Sequence, residues 1–233
     1  MQIGDPIGEG WAIYKRFWRH LLPISLVVAV IVSLIALALA AAGGPFALLA
    51  SLLVSVTGTF LITAALTEAV ADVRDGRVDL TLTETLARAW PRIGTVILLS
   101  IVAGLGIAIG FVLLIVPGAY LITIWSVAVP AAVLEKTGVF DSLGRSRALV
   151  RGYGWTVFGV LLVTFLVNIV ASIVLAVVLS GLSNDVGNYV GNLLTTTLIT
   201  PFVAAAVTCM YFQLRGLHEQ APVPAGAAFS DET

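Results

Sequence analysis

Long apolar segments dominate the sequence, and they limit its fold more than any other feature. A bilayer core about 30 Å thick needs about 20 apolar residues in an α-helix. Five segments reach this length: residues 21–42, 46–67, 93–116, 155–180 and 190–214. Only 11% of the residues are charged, whereas an ordinary soluble domain has about 25%. The sequence therefore predicts an all-α, polytopic membrane helix bundle.

A sixth apolar segment, residues 119–134, is shorter and contains Pro130. One helix over residues 93–134 would be about 63 Å long, roughly twice the thickness of the hydrocarbon core. We therefore predict a turn at "VPG", residues 116–118, because Pro sets φ and Gly accepts a positive φ. The segment that follows this turn either spans the membrane fully or is re-entrant. With it, the predicted bundle has six transmembrane segments.

The basic residues support this topology. All twelve Lys and Arg residues fall on the side of the membrane that holds both termini in a six-span arrangement. The connections on the other side, at residues 43–45, 116–118 and 181–188, carry none. Because cytoplasmic loops are enriched in Lys and Arg, we expect both termini to be cytoplasmic and the protein to lie in the cell membrane.

Three stretches that precede apolar segments share a pattern of an acid followed by basic and aromatic residues. They begin at Glu9, Glu84 and Asp141. An acid suits the N-terminus of a helix and basic residues suit its C-terminus, so we predict a short interfacial amphipathic helix at each stretch. The predicted organisation is an interfacial helix over residues 1–20, a six-span membrane domain over residues 21–215 and a disordered cytoplasmic tail over residues 216–233.

The stretch "LGRSRALVRG", residues 143–152, concentrates three arginines in a chain that has few. On a helical wheel, Val139, Leu143 and Val150 form one apolar face. Arg147 falls within that face, whereas Arg145 points away from it.

An arginine on an apolar face must pair with an acid, bind an anion or extend to water. We predict an ion pair between Arg147 and Glu135, the nearest acid along the chain. A lipid phosphate is the alternative partner, because the guanidinium fork suits phosphate. The candidate lipid- or phosphate-binding residues are Arg145, Arg147 and Arg151.

Polar residues occur at the middle of two predicted spans. Asn168 lies in the fifth span, and the sixth span has hydroxyl residues that include Thr197 and Thr200. An interhelical hydrogen bond from Asn168 to one of these threonines is the structural interpretation. A polar substrate site is the functional alternative. The spacing of Gly106 and Gly110 predicts close helix packing.

Sequence motifs for catalysis are absent: the chain has no GxSxG, HExxH or CxxC. Its single cysteine, Cys209, lies in an apolar run and is expected to be a small buried side chain. We expect no catalytic residues, no metal site and no cofactor. The acids of "DVRDGRVD", residues 72–79, resemble a metal–phosphate site only weakly, and a solvated loop is the favoured interpretation.

Residues 116–162 carry a combination of residues that is familiar from one family. The matching residues are Pro117, Gly118, Tyr120, Trp125, Pro130, Glu135, Ser142, Leu143, Arg145, Ser146, Leu149, Arg151, Gly152, Trp155 and Gly159. This combination resembles the membrane domain attached to some glycerophosphoryl diester phosphodiesterases, and related uncharacterised bacterial six-helix membrane proteins. In the fused enzymes a separate soluble barrel carries catalysis, and we expect no such barrel within this sequence. The resemblance therefore implies a membrane domain without phosphodiesterase activity.

Together these features predict a bacterial membrane accessory or scaffold protein that is not an enzyme. We expect it to bind anionic lipid head groups or a protein partner at its cytoplasmic face, and not nucleic acid. Association with a second copy of the chain stays open. One alternative function is a small permease or channel whose path passes Asn168 and Thr197. Another is a lipid-modifying enzyme that uses the acids of residues 72–79.

Overall fold

Helices make up nearly all of the chain that the computed structural model describes, which covers residues 2–74, 76, 81–181 and 184–219. In chain order they are α1 (Gly4–Ala41), α2 (Pro45–Val73), α3 (Leu82–Ala89), α4 (Ile93–Leu113), α5 (Ile115–Trp125), α6 (Ala128–Leu134), α7 (Val139–Val150), α8 (Gly154–Val178) and α9 (Asn184–Glu219). A 3₁₀ turn, Trp90–Arg92, joins α3 to α4. These ranges contain no strand. The predicted all-α class is confirmed.

Six helical segments are long and apolar enough to cross a membrane. They are Gly4–Ala41, Pro45–Val73, Thr83–Leu113, Ile115–Leu134, Gly154–Val178 and Val190–Glu219. The chain is therefore a multi-pass membrane protein. The terminal end of the bundle holds the start of α1 and the end of α9. The opposite loop end holds the turns at Ala42–Gly44, Leu114 and Leu179–Gly181.

The turn between the third and fourth spans lies earlier than predicted. The chain reverses at Leu114, the single residue between α4 and α5, whose backbone is extended with φ −166° and ψ 154°. The "VPG" motif lies inside the first turn of α5. Pro117 is tolerated there because the first N–H groups of a helix have no intrahelical acceptor. Gly118 packs on α4, where a Cβ added to Gly110 would come within 3.0 Å of the Cα of Gly118. The predicted close packing at Gly110 is thus confirmed, and the prediction of a turn at residues 116–118 is wrong.

The fourth span is broken into α5 and α6 at Ser126 and Val127. Pro130 lies in the first turn of α6, where its missing N–H costs no hydrogen bond. The guanidinium of Arg92, at the start of α4, donates to the carbonyl oxygen of Lys136, just after α6, at 3.2 Å. The α5–α6 segment therefore returns to the end from which α4 starts, and its 20 residues are long enough for a full span.

Helical stretches precede the spans as predicted. Phe17 kinks α1 with non-helical φ −116° and ψ 18°, so the helical arm of the first stretch ends at this kink, three residues before the predicted boundary at residue 20. The arm before this kink packs along α9, where Gly10 lies against the backbone of Ala206. At the other terminus α9 continues to Glu219. Residues 216–219 of the predicted tail therefore belong to α9, and the rest of that tail, residues 220–233, lies outside the described residues.

The core lies in the terminal half of the bundle, around α6 and α9. Ala131 and Ala132 of α6 and Tyr211 of α9 are fully buried. Apolar clusters join α9 to α1 and α2 on one side and to α6, α7 and α8 on the other. Toward the loop end, large apolar side chains such as Phe46 and Val178 are exposed, as expected for surfaces that contact lipid.

Candidate functional site

The carboxylate of Glu135, at the C-terminus of α6, is the centre of an ionic cluster at the terminal end. The Nε of Arg145 donates to both of its oxygens at 2.9 Å. The hydroxyl of Tyr211 donates to Oε1 at 2.8 Å. Three elements, α6, α7 and α9, are therefore joined through one acid.

The predicted partner of Glu135 is wrong: the acid pairs with Arg145, and Arg147 is exposed. The buried face of α7 consists of Ser142, Leu143, Ser146, Leu149 and Val150. This face is rotated away from the one that the apolar residues alone define. The rotation turns Arg147 outward and brings Arg145 beside the end of α6.

A hydrogen bond from Ser146 to α5 holds α7 in this rotation, and a local bond satisfies the other buried serine. Ser146 donates to the carbonyl oxygen of Ile124 in α5 at 2.8 Å. Ser142 donates to the carbonyl oxygen of Gly138, one turn earlier. Because both hydroxyls are hydrogen bonded, both serines are buried at little cost, and their small size lets α7 approach α5.

Arg147 and Arg151 remain available at the surface. They lie one helical turn apart, since the backbone N–H of Arg151 donates to the carbonyl oxygen of Arg147 at 3.1 Å. Both are exposed, and neither forms an ion pair within the described ranges. Of the three predicted phosphate-binding arginines, the structure thus leaves two free and engages Arg145 with Glu135.

An apolar groove between α5 and α8 begins next to Arg151. It has a volume of about 770 Å³. Tyr120, Trp155 and Phe158 are among its lining residues, and Gly152 lines the end that follows Arg151. Trp155 is 87% exposed, so an indole ring lines the groove four residues after Arg151 in the chain.

A second cavity, which we call the polar cavity, lies between α2, α8 and α9 in the loop half of the bundle. Its volume is about 590 Å³. Its polar lining residues are Thr59, Asn168, Ser172, Ser180, Asn192, Thr195, Thr196 and Thr200. The structure therefore brings the predicted residues Asn168 and Thr200 together at one site.

The predicted hydrogen bond between Asn168 and a threonine of the sixth span does not form. Within the described residues, the amide of Asn168 has no hydrogen-bond partner and faces the polar cavity. Thr197 lies apart from it: its carbonyl oxygen accepts a hydrogen bond from Ser25 of α1 at 3.0 Å. Its hydroxyl is buried without a partner. Successive residues of a helix point in directions about 100° apart. Thr197 of α9 therefore faces α1, whereas its neighbour Thr196 lines the polar cavity.

The acid-rich stretch at residues 72–79 is described only in part. Arg74 pairs with Glu9 of the α1 arm at 3.1 Å, which joins α2 to the arm. Residues 75 and 77–79 lie outside the described residues. Among the described residues, no three His, Cys, Asp or Glu side chains converge on one point. Cys209 is fully buried, as predicted.

Comparison of the chain with protein-family models, with curated proteins and with solved structures finds no match. The resemblance of residues 116–162 to the phosphodiesterase membrane domain therefore stays a prediction.

Proposed function

We propose that this protein is an accessory or scaffold protein of the bacterial cytoplasmic membrane that binds an anionic phospholipid at its cytoplasmic face. The observation that carries the proposal is the pair of exposed arginines without an ion pair, Arg147 and Arg151, on the segment that leads into the apolar groove at Gly152. Guanidinium groups bind phosphate oxygens through two parallel hydrogen bonds. The groove, which begins one residue after Arg151 in the chain, supplies an apolar surface for an acyl chain.

The distribution of charge supports the same orientation. The terminal end carries the basic residues, and the positive-inside rule assigns such an end to the cytoplasm. Anionic lipids enrich the cytoplasmic leaflet and attract basic residues near its surface. The exposed indole ring of Trp155 suits the same interfacial depth, where amphipathic aromatic residues are enriched.

Native mass spectrometry of gently solubilised protein tests the proposal. The variant Arg147→Gln/Arg151→Gln removes both free guanidinium groups and leaves the Arg145–Glu135 pair intact. We expect the wild type to retain phosphatidylglycerol or cardiolipin, and this variant to retain about tenfold less, since one lost charge-assisted hydrogen bond already costs about 1.5 kcal/mol or more.

The matched control is Lys15→Gln/Arg19→Gln, which removes the same charge from two exposed cations on α1. It should retain lipid like the wild type. Equal retention by the wild type and the Arg147/Arg151 variant would refute the proposal and leave these arginines as topology signals alone. Equal losses in both variants would also refute it, because they would indicate a diffuse charge effect.

A further inference from the structure

We propose that the polar cavity binds a small, uncharged, polyhydroxylated solute that enters from the loop end. This inference goes beyond the lipid-binding function, and it concerns the opposite half of the bundle. It rests on the pattern of polar residues, on their hydrogen bonding and on the charge of the lining.

Polar residues at four-residue spacing line this region on three helices. On α2 they are Ser51, Ser55 and Thr59, on α8 Asn168 and Ser172, and on α9 Asn192, Thr196 and Thr200; Ser180 lines the cavity from the turn after α8. Residues four apart lie on the same face of a helix. Each helix therefore presents a polar stripe to the same interior space, while its other faces carry the apolar residues that lipid requires.

Four polar side chains of α8 and α9 that line the cavity find no hydrogen-bond partner among the described residues. Asn168, Ser172, Thr195 and Thr200 make no side-chain hydrogen bond within the described ranges. On α2 the hydroxyl of Thr59 donates to the carbonyl oxygen of Ser55 at 3.2 Å, so it offers the cavity an acceptor. A polar group at membrane depth without a partner costs several kcal/mol. Water or a ligand must therefore complete these hydrogen bonds.

The lining restricts the chemistry of that ligand. The described lining residues carry no ionisable side chain, so nothing there compensates the desolvation of a charged solute. Hydroxyl and amide groups provide both donors and acceptors, which matches a molecule with several hydroxyl groups. A volume of about 590 Å³ lies within the range of about 300–1,000 Å³ that ligand pockets occupy.

A smaller adjoining cavity extends the site toward α1. Its volume is about 320 Å³, and it shares Thr59, Asn192 and Thr196 with the polar cavity. Ser33 of α1 adds a further hydroxyl there. The polar surface thus continues along the loop half of the bundle, which is the half nearest the predicted exterior.

Thiol labelling of full-length protein in nanodiscs tests this proposal. In a Cys209→Ala background, Ser172→Cys places a nearly isosteric thiol in the cavity, and Ile173→Cys places one on the adjacent exposed apolar surface. We expect a charged, water-soluble methanethiosulfonate to react about tenfold faster at position 172, because a charged reagent is excluded from hydrocarbon. Sorbitol at twice its dissociation constant should slow this reaction about threefold, by the factor 1 + [L]/Kd.

Two controls make the result specific. Glycine betaine at equal osmolality, which lacks hydroxyl groups, should give no protection. Asn168→Leu in the Ser172→Cys protein should keep the labelling rate and abolish the protection by sorbitol. An unreactive thiol at position 172 in monodisperse protein overturns the proposal, because the cavity would be dry. Labelling that neither sorbitol nor glycerol slows overturns it as well, because the cavity would hold only water.

Discussion

A double-mutant cycle on Glu135 measures which arginine of α7 this carboxylate binds. The changes are Glu135→Gln and Arg145→Gln, alone and combined, with Arg147→Gln in a parallel cycle. Gln at position 135 keeps an acceptor for the hydroxyl of Tyr211, so the cycle reports mainly on the charge pair. The sequence pattern favours Arg147, whereas the structure assigns the contact to Arg145.

The exposure of the two side chains sets the size of the expected effect. Their exposed fractions are 38% for Arg145 and 19% for Glu135. Breaking a fully buried pair costs about 3–5 kcal/mol, whereas an exposed pair is worth about 0–1 kcal/mol. A half-buried pair in which the arginine contacts both carboxylate oxygens falls between these limits, so we expect a coupling free energy of about 2 kcal/mol.

Reversible unfolding in mixed micelles, followed by tryptophan fluorescence, supplies the free energies of unfolding. The cycle with Arg147 should close to within about 0.5 kcal/mol, as independent sites do. A coupling of Glu135 to Arg147 as large as its coupling to Arg145 would refute the assignment. No coupling in either cycle would show that the pair contributes nothing to the stability of the bundle.

Two further substitutions test the packing of the terminal half by the same unfolding measurement. Gly10→Ala should lower the free energy of unfolding by about 1–3 kcal/mol, because the new Cβ would lie 2.7 Å from the backbone nitrogen of Ala206. In the control Gly8→Ala the added Cβ has no neighbouring atom within 4 Å, so the free energy of unfolding should rise by about 0.5–1 kcal/mol. A change of the same sign in both variants would contradict the packing of Gly10 on α9. Ser146→Ala should cost about 1–2 kcal/mol, because it leaves the buried Ile124 carbonyl without a donor. The control Ser180→Ala removes a hydroxyl that lies in the turn after α8 and donates to the nearby carbonyl oxygen of Val177. It should change stability little, and equal losses in both variants would show that the α5–α7 contact is unimportant.

The number and positions of the spans could be predicted because they depend on a local property of the chain. A run of apolar residues long enough to cross the membrane can be recognised without knowing any tertiary contact. The six predicted segments therefore correspond closely to the six observed spans. The position of the turn before α5 could not be predicted as well. Pro117 is compatible with either a turn or the start of a helix, and contacts between Gly110 and Gly118 decide for the helix.

The side-chain partners depended on contacts between distant segments, and this is where the predictions failed. The face of α7 that is buried depends on the hydrogen bond between Ser146 and the carbonyl oxygen of Ile124. The spacing of apolar residues in the sequence cannot predict such a bond. Tyr211, the third member of the Glu135 cluster, was not predicted because it comes from a helix far along the chain. The polar cavity did have a signal in the sequence: the four-residue spacing of Asn192, Thr196 and Thr200 on α9 marks one face.

The antiparallel packing of α1 on α9 has a consequence for how the protein is made. α1 is synthesised before α9, yet the arm residues Gly10 and Ile13 are buried against the Ala204–Ala206 region of α9. Until α9 is inserted, the arm has no partner for this contact. The terminal half of the bundle therefore closes only after α9 has entered the membrane, and a ribosome that stops before α9 leaves a nascent protein whose α1 arm is uncovered.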